Sequence, residues 1–312
     1  MALDPIKNLI QAIEAKHKID KLIFLGDYID YGPSSKEVID YIISLKYEKI
    51  FLAGNHEDLL LQFYNKKYRE PKFSESKWFR DYEGTKTLKS FIPDECMQKI
   101  YINNNEDYVK LEDNYIEFFN NLKYIQHGLI NGKKFIFSHG NAKDMERVSI
   151  EKILELDTFE KFHEFLEQED IISAIMPIWN RADCCYGSKE DEFEKIKDYI
   201  VIHGHTPIST IKGVPEVIKT NKLPYIEAQE DYEIEAVFEA EYIGEESIYK
   251  HNISSNKIYG INIDTGVVFG EALTALGIDE NNTLEYRIVQ VRLDEVNKSN
   301  RNIRYSKYIL QE

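Results

Sequence analysis

The sequence is short of positive charge, of cysteine and of long apolar runs, and each shortage closes off a class of function. Its 39 lysines and arginines stand against 55 aspartates and glutamates, a formal charge of −16. So negative a surface repels phosphate backbones, which argues against nucleic acid and anionic membranes as partners. No apolar run approaches the roughly 20 residues that cross a bilayer, and the chain shows no signal-peptide pattern. Three cysteines, Cys96, Cys184 and Cys185, do not make a disulfide framework, so a reducing cytoplasm is the expected location. Repeats, low-complexity tracts and clear linkers are also missing. The 312 residues therefore read as one domain, long enough for a large core.

What is present centres on Lys21 to Gly32. The apolar run Leu22 to Leu25 reads as a buried strand stopped by Gly26, with Asp27 at its end and Asp30 three residues on. Loops beyond the carboxyl ends of strands are where open α/β sheets place their sites. Two carboxylates that close must be neutralised, by a metal or by a basic side chain. The same plan, apolar run then polar ending, recurs at Gly54-Asn55-His56-Glu57, Ser138-His139-Gly140 and His203-Gly204-His205-Thr206. A lone histidine after a strand is usually structural, but three such endings beside Gly-Asp-x-x-Asp point to a metal. Carboxylate, amide oxygen and imidazole together suit Mn, Fe or Zn better than calcium.

At these residues the sequence resembles the calcineurin-like metallophosphoesterases, in the phosphoprotein-phosphatase branch that includes bacterial serine/threonine and dinucleoside-polyphosphate phosphatases. Ile263-Asp264-Thr265-Gly266 and Leu273-Thr274-Ala275-Leu276 resemble the closing strands of bacterial members. The resemblance implies an α/β fold of two packed mixed β-sheets flanked by helices, a four-layer sandwich. The family's opening strand, ending Asp-x-His-Gly, has no counterpart here; Met1-Ala2-Leu3-Asp4-Pro5 looks like the helix after it. The resemblance implies Asp27, Asn55, His139 and His205 as ligands of a divalent transition metal, two in an intact family site and one expected here. It further implies His56 as general acid oriented by Asp30, and Arg181 of Trp179-Asn180-Arg181 as a grip on the substrate phosphate. A surface ion pair is the plainer reading of Arg181. Tyr31 stands where a second phosphate arginine is usual, and is taken with Asn55 as substrate-binding. His203 is either a support for the ligands or an ordinary structural histidine, and Asp264 ties the sheet end to the site.

The expected activity is metal-dependent hydrolysis of a phosphoric ester by a metal-activated water. The substrate is a phosphoprotein, a dinucleoside polyphosphate or a small phosphoester. The alternative is a catalytically impaired or non-catalytic binding protein that keeps half the metal site. Around this centre, Asp4 and Pro5 predict a helix start, and Ile6, Leu9, Ile10 and Ile13 its apolar stripe. Ser34 to Glu37 reads as a capping box before Val38, Ile39, Ile42 and Ile43. Residues 66–130 read as a helical cap insert, with its own small core or as a lid over the metals. Residues 212–256 form an acidic insert, with nine acidic and no basic residues between 223 and 249. It reads as a solvated edge, or as a dock for a basic protein. Residues 257–263, 286–291 and 303–309 read as strands of a second sheet.

Overall fold

Why the polar endings meet is visible in the strand order. A computed structural model describes residues 3–65, 77–103, 110–142, 149–169, 177–180, 198–212, 214, 216–221, 223–228, 235–242, 245–252, 258–292 and 303–310. The first helix, α1 (Leu3–Lys16), has Asp4 and Pro5 in its first turn and buries Ile6, Leu9 and Ile10. Strand β1 (Lys21–Phe24) leads to helix α2 (Ser35–Ser44), then β2 (Glu48–Phe51) to α3 (Asn55–Tyr64). Helices α4 (Lys77–Asp81), α5 (Gly84–Phe91), α6 (Asp94–Asn103) and α7 (Asp113–Asn120) follow. A hairpin, β3 (Ile125–Ile130) and β4 (Lys133–Ser138), leads to α8 (Ile150–Glu155) and α9 (Phe159–Glu169). The remainder is β5 (Tyr199–His203), α10 (Glu216–Asn221), β6 (Tyr225–Ala228), β7 (Glu235–Tyr242) and β8 (Glu245–Asn252), then β9 (Ile258–Asn262), β10 (Ala272–Asp279), β11 (Asn282–Arg292) and β12 (Ile303–Leu310).

The fold is α/β, with one mixed sheet in the order β3-β4-β5-β9-β6 and a second in the order β10-β11-β12-β7-β8. In the first, β4, β5 and β9 run parallel, so their carboxyl ends lie along one edge. The pair β1 and β2 is also parallel and forms a separate small sheet. Leu52, just beyond β2, bridges Lys123 before β3. Side chains alternate across a strand. Phe135, Phe137, Ile200 and Ile202 accordingly share a cluster with Tyr286 and Ile288 of β11, which joins the two large sheets face to face. The alternate residues Ile136 and Val201 join the helix side. Helix α1 covers β10 and β11 from the opposite face, where Val289 and Val291 point. On α9, Phe159, Phe162 and Phe165 recur on one buried face; full burial of such a ring contributes about 1.5–3 kcal/mol.

Several details differ from the sequence reading. The second sheet is antiparallel throughout rather than mixed, and a short turn joins β10 to β11. Strand β9 belongs to the first sheet, parallel to β5 with Val201 opposite Gly260. In the acidic stretch, β7 is paired on both sides, by β12 and β8, so the edge strand is β8. The expected capping box at Ser34 is not formed; that residue makes no side-chain cap bond, and Val38 N donates to its carbonyl. Ile43 is 43% exposed rather than turned inward. Trp78 and Leu88 of the helical insert are buried in the same continuous cluster as α1 and the first sheet, not in a core of their own.

Candidate metal centre and the residues around it

Four polar endings converge at the carboxyl ends of parallel strands: the loops after β1, β2, β4 and β5. The approach is close enough to dictate glycine at two positions. A Cβ on Gly26 would lie 2.4 Å from Gly54 N, and one on Gly54 would lie 2.1 Å from Asp27 Oδ1. Gly26 also has φ +94°, a conformation that L side chains rarely adopt. Beyond it Asp27, Asp30 and Tyr31 hold left-handed φ values of 59°, 62° and 50°, and His205 one of 66°. Non-glycine residues persist in that region only where surrounding contacts over-determine them, and such positions cluster at functional sites.

The contact that holds the first loop is Glu57. Its carboxylate accepts hydrogen bonds from Asp27 N at 2.8 Å, Tyr28 N at 2.7 Å, Ile29 N at 3.2 Å and Gly54 N at 2.9 Å. Burial pushes the Glu57 carboxyl up, and the charge of Asp27 adds to this against the pull of the amide donors. Tyr28, fully buried, anchors the same loop through its hydroxyl, which donates to Leu52 O at 2.7 Å.

Asp27, His139 and His205 form the one group of three or more His, Cys, Asp or Glu side chains with metal-ligand spacing among the described residues, their ligand atoms within 4.8 Å of one another. His139 Nδ1 lies 2.7 Å from Leu25 O, which places its proton on that nitrogen and leaves a lone pair on Nε2. That Nε2 faces Asn55 Oδ1 at 3.1 Å, His205 Nδ1 at 3.1 Å and Asp27 Oδ1 at 3.3 Å. Asp27 Oδ1 is buried and has no hydrogen-bond partner. Oxygen and nitrogen donor atoms thus converge on one another, an arrangement that a positive charge between them would satisfy. The donor set fits a divalent transition metal. Without the metal a proton takes part of that role: burial lowers the His139 pKa, but Asp27 outweighs it and draws it above the ordinary value. Burial would likewise raise Asp27, yet His139 and His56 hold its carboxyl far below the usual range.

His56 stands beside this cluster. Its Nδ1 is 2.7 Å from Asp30 Oδ2, and its Nε2 is 3.9 Å from Asp27 Oδ2. Burial lowers the His56 pKa, but Asp27 and Asp30 raise it on balance to about 9. Asp30 is fully buried and held in turn. Trp78 Nε1 donates to Oδ2 at 2.9 Å, and Asp30 N donates to Thr87 Oγ1 at 2.9 Å, whose hydroxyl returns a bond to Oδ1. Gly84 makes room for the Trp78 ring, since a Cβ there would lie 2.5 Å from it.

Of the residues singled out in the sequence, Asp27, Asp30, Asn55, His56, His139 and His205 come together. Tyr31 lies at the rim with its ring centroid 5.0 Å from that of His56. Arg181 lies outside the described residues; the preceding Pro177 to Asn180 packs on the His139 loop, where Gly140 N donates to Pro177 O and Asn141 N to Asn180 O. His203 is fully buried beside Gly204, with Nδ1 3.3 Å from that residue's carbonyl oxygen. Asp264 ties β9 to the site, accepting Ile208 N on its carbonyl and Gly266 N on its side chain, and burial pushes its pKa up to about 6. Sequence reasoning passed over Glu57 as a support, Trp78 and Thr87. Glu57 had a local signal, an acidic residue three places past a strand-ending glycine. The other two reach Asp30 from 48 and 57 residues away, which no local pattern records.

An α/β fold whose parallel strands end in a mixed oxygen–nitrogen donor set flanked by an imidazole defines a metal-binding class of α/β protein. More particularly, the chain belongs to the calcineurin-like phosphoesterase family, whose model matches residues 2–209. That family carries out metal-dependent phosphoester hydrolysis with divalent ions. Among curated proteins it is similar to a symmetrical bis(5'-nucleosyl)-tetraphosphatase of Legionella pneumophila (strain Corby), 38% identical over 58 residues, 19% of this chain and 21% of that one. The Pseudomonas syringae pv. syringae protein of the same description is 32% identical over 65 residues, 21% of this chain and 22% of its own. The chain thus spans about a fifth of the length of these relatives. Among solved structures, a hypothetical protein from Pyrococcus horikoshii OT3 covers 94% of this chain and 84% of its own at 12% identity, with a TM-score of 0.40.

Proposed function

We propose that the protein hydrolyses a phosphoric ester or anhydride at a divalent-ion site made by Asp27, Asn55, His139 and His205, with His56 protonating the leaving oxygen. The observation that carries this reading is the His56–Asp30 pair at 2.7 Å, set beside the cation cluster with Nε2 turned toward Asp27. A module that only bound phosphate would have no evident use for an imidazole oriented by a buried carboxylate at the edge of the site. A bound divalent ion supplies charge stabilisation for the phosphoryl oxygens and lowers the pKa of its water.

The remaining work belongs to the side chains. Asp30 fixes the His56 tautomer so that Nε2 carries the transferable proton, as carboxylates do for functional imidazoles. Trp78 and Thr87 fix Asp30. Asn55 sits between the two sets, its backbone in the α3 turn that presents His56 and its amide oxygen on His139. The tetraphosphatase relatives support dinucleoside polyphosphates as one substrate class, beside phosphoproteins and small phosphoesters. Mn, Fe or Zn suits the donor set, and the reducing cytoplasm and a basic protein at the acidic strands remain part of this proposal.

Two results test it. Chelation should abolish hydrolysis of p-nitrophenyl phosphate and added Mn²⁺ should restore it; turnover that persists in excess chelator contradicts the proposal. Asp30→Asn should lower kcat by about 10–100-fold, the usual cost of losing a partner that orients a functional imidazole. An unchanged kcat in a folded, metal-loaded Asp30→Asn protein would remove Asp30 from its positioning role.

A further inference from the structure

The leaving-group side of His56 is walled by aromatic rings. Tyr31 meets the imidazole edge-on at 5.0 Å and 73°, and Tyr82 meets it at 5.3 Å and 85°. Trp179 continues the wall, its ring 6.1 Å from Tyr82 at 76°. Core packing accounts for part of this, but not for Tyr31. The residue is 48% exposed, and its backbone is held at φ 50°, where a bulky residue is a genuine outlier. A strained backbone that carries an aromatic ring toward solvent, beside the proton donor, is a surface prepared for a ligand. The site therefore presents a flat apolar face at its rim.

We propose that Tyr31, with Tyr82 and Trp179, forms a subsite for an aromatic leaving group, so that the preferred substrates are aryl phosphate monoesters. This rests on the reading of His56 as the donor to the leaving oxygen. The geometry selects among substrates. In an aryl ester the ring is bonded directly to the oxygen that His56 protonates, so it lies within reach of the aromatic rings that flank His56. A serine alkoxide offers only a methylene there. In a dinucleoside polyphosphate the base lies a ribose and at least one phosphate beyond the leaving oxygen, past the wall. Two sources share the aryl chemistry: a small aryl phosphate and phosphotyrosine within a peptide.

The test measures binding without turnover, on Mn²⁺-loaded full-length chain. Wild type should bind phenylphosphonate about tenfold tighter than methylphosphonate, the scale of one aromatic contact. Tyr31→Ala should lose most of that preference, and Tyr31→Phe should keep it, which also shows that the loop still folds. Equal affinities for the two phosphonates in wild type, or a preference that survives Tyr31→Ala, overturns the subsite. Failure of both phosphonates to bind overturns the phosphate site itself, and the subsite with it. In turnover, kcat/KM for phenyl phosphate should fall about tenfold in Tyr31→Ala relative to that for O-phosphoserine. A phosphotyrosine peptide turned over faster than phenyl phosphate identifies the protein source, a peptide that is not turned over identifies the small ester, and a peptide rate unchanged in Tyr31→Ala contradicts the subsite. Loss confined to diadenosine tetraphosphate, with phenyl phosphate unaffected, would assign the wall to a base and contradict the proposal.

Discussion

Replacing His56 with asparagine should lower turnover about 10²–10⁴-fold, the usual worth of a positioned proton donor. Asparagine keeps the size and polarity of the position but cannot deliver a proton. Because His56 is not among the proposed cation ligands Asp27, Asn55, His139 and His205, metal content should be unchanged. The loss should depend on the leaving group. A serine alkoxide needs its proton as the bond to phosphorus breaks, whereas p-nitrophenolate leaves with little help. The rate ratio between O-phosphoserine and p-nitrophenyl phosphate should therefore drop sharply in His56→Asn. A structural role predicts something different: lost stability or lost metal, with both substrates slowed alike. Assays of the two substrates at matched metal occupancy decide between these, and a uniform loss would take His56 off the list of catalytic residues.

Glu57→Leu should have the largest effect on stability. One fully buried carboxylate accepts amide bonds from Asp27, Tyr28, Ile29 and Gly54. Leucine leaves those donors without partners in a site closed to water, at about 1–3 kcal/mol for each group that finds no substitute. Even with partial relaxation, a destabilisation of about 4 kcal/mol or more follows, at the high end for a single substitution. Urea unfolding should show a much lower midpoint. Since the same bonds hold Asp27 at its left-handed φ, metal affinity should fall too. Glu57→Gln keeps an oxygen acceptor and should lie between leucine and wild type. A near-wild-type midpoint for Glu57→Leu would show that the loop after β1 is held by other means.

How much of this was legible follows from which contacts are local. Strand-ending motifs are local, so Gly26-Asp27, Asn55-His56, His139 and His205 could be marked from sequence. The parallel register of β1 with β2 then brings two of these endings together in one sheet, and that of β4 with β5 the other two in another. Apolar stripes are local as well, and α1, α2 and α9 follow theirs. Long-range choices were not legible. Nothing between residues 257 and 263 says whether that strand joins the first sheet or the second, because an apolar alternation fits either. The pairing of β7 on both sides depends on β12, some 60 residues away in sequence. Trp78 and Thr87 lie in the stretch read as a helical insert, and their bonds to Asp30 appear only once α4 and α5 are packed against the loop. At Ile43, periodicity marked a stripe wider than the face that α2 buries.

The central claim is that Asp27, Asn55, His139 and His205 hold a divalent ion. The most direct measurement is equilibrium dialysis of the full chain against Mn²⁺, followed by exhaustive dialysis and metal analysis, with the Asn55→Ala, His139→Ala double variant alongside. The account predicts about one tightly held ion per chain in wild type and essentially none in the double variant, with matching circular dichroism spectra. An ion retained by the folded double variant, or none bound by wild type, would contradict it.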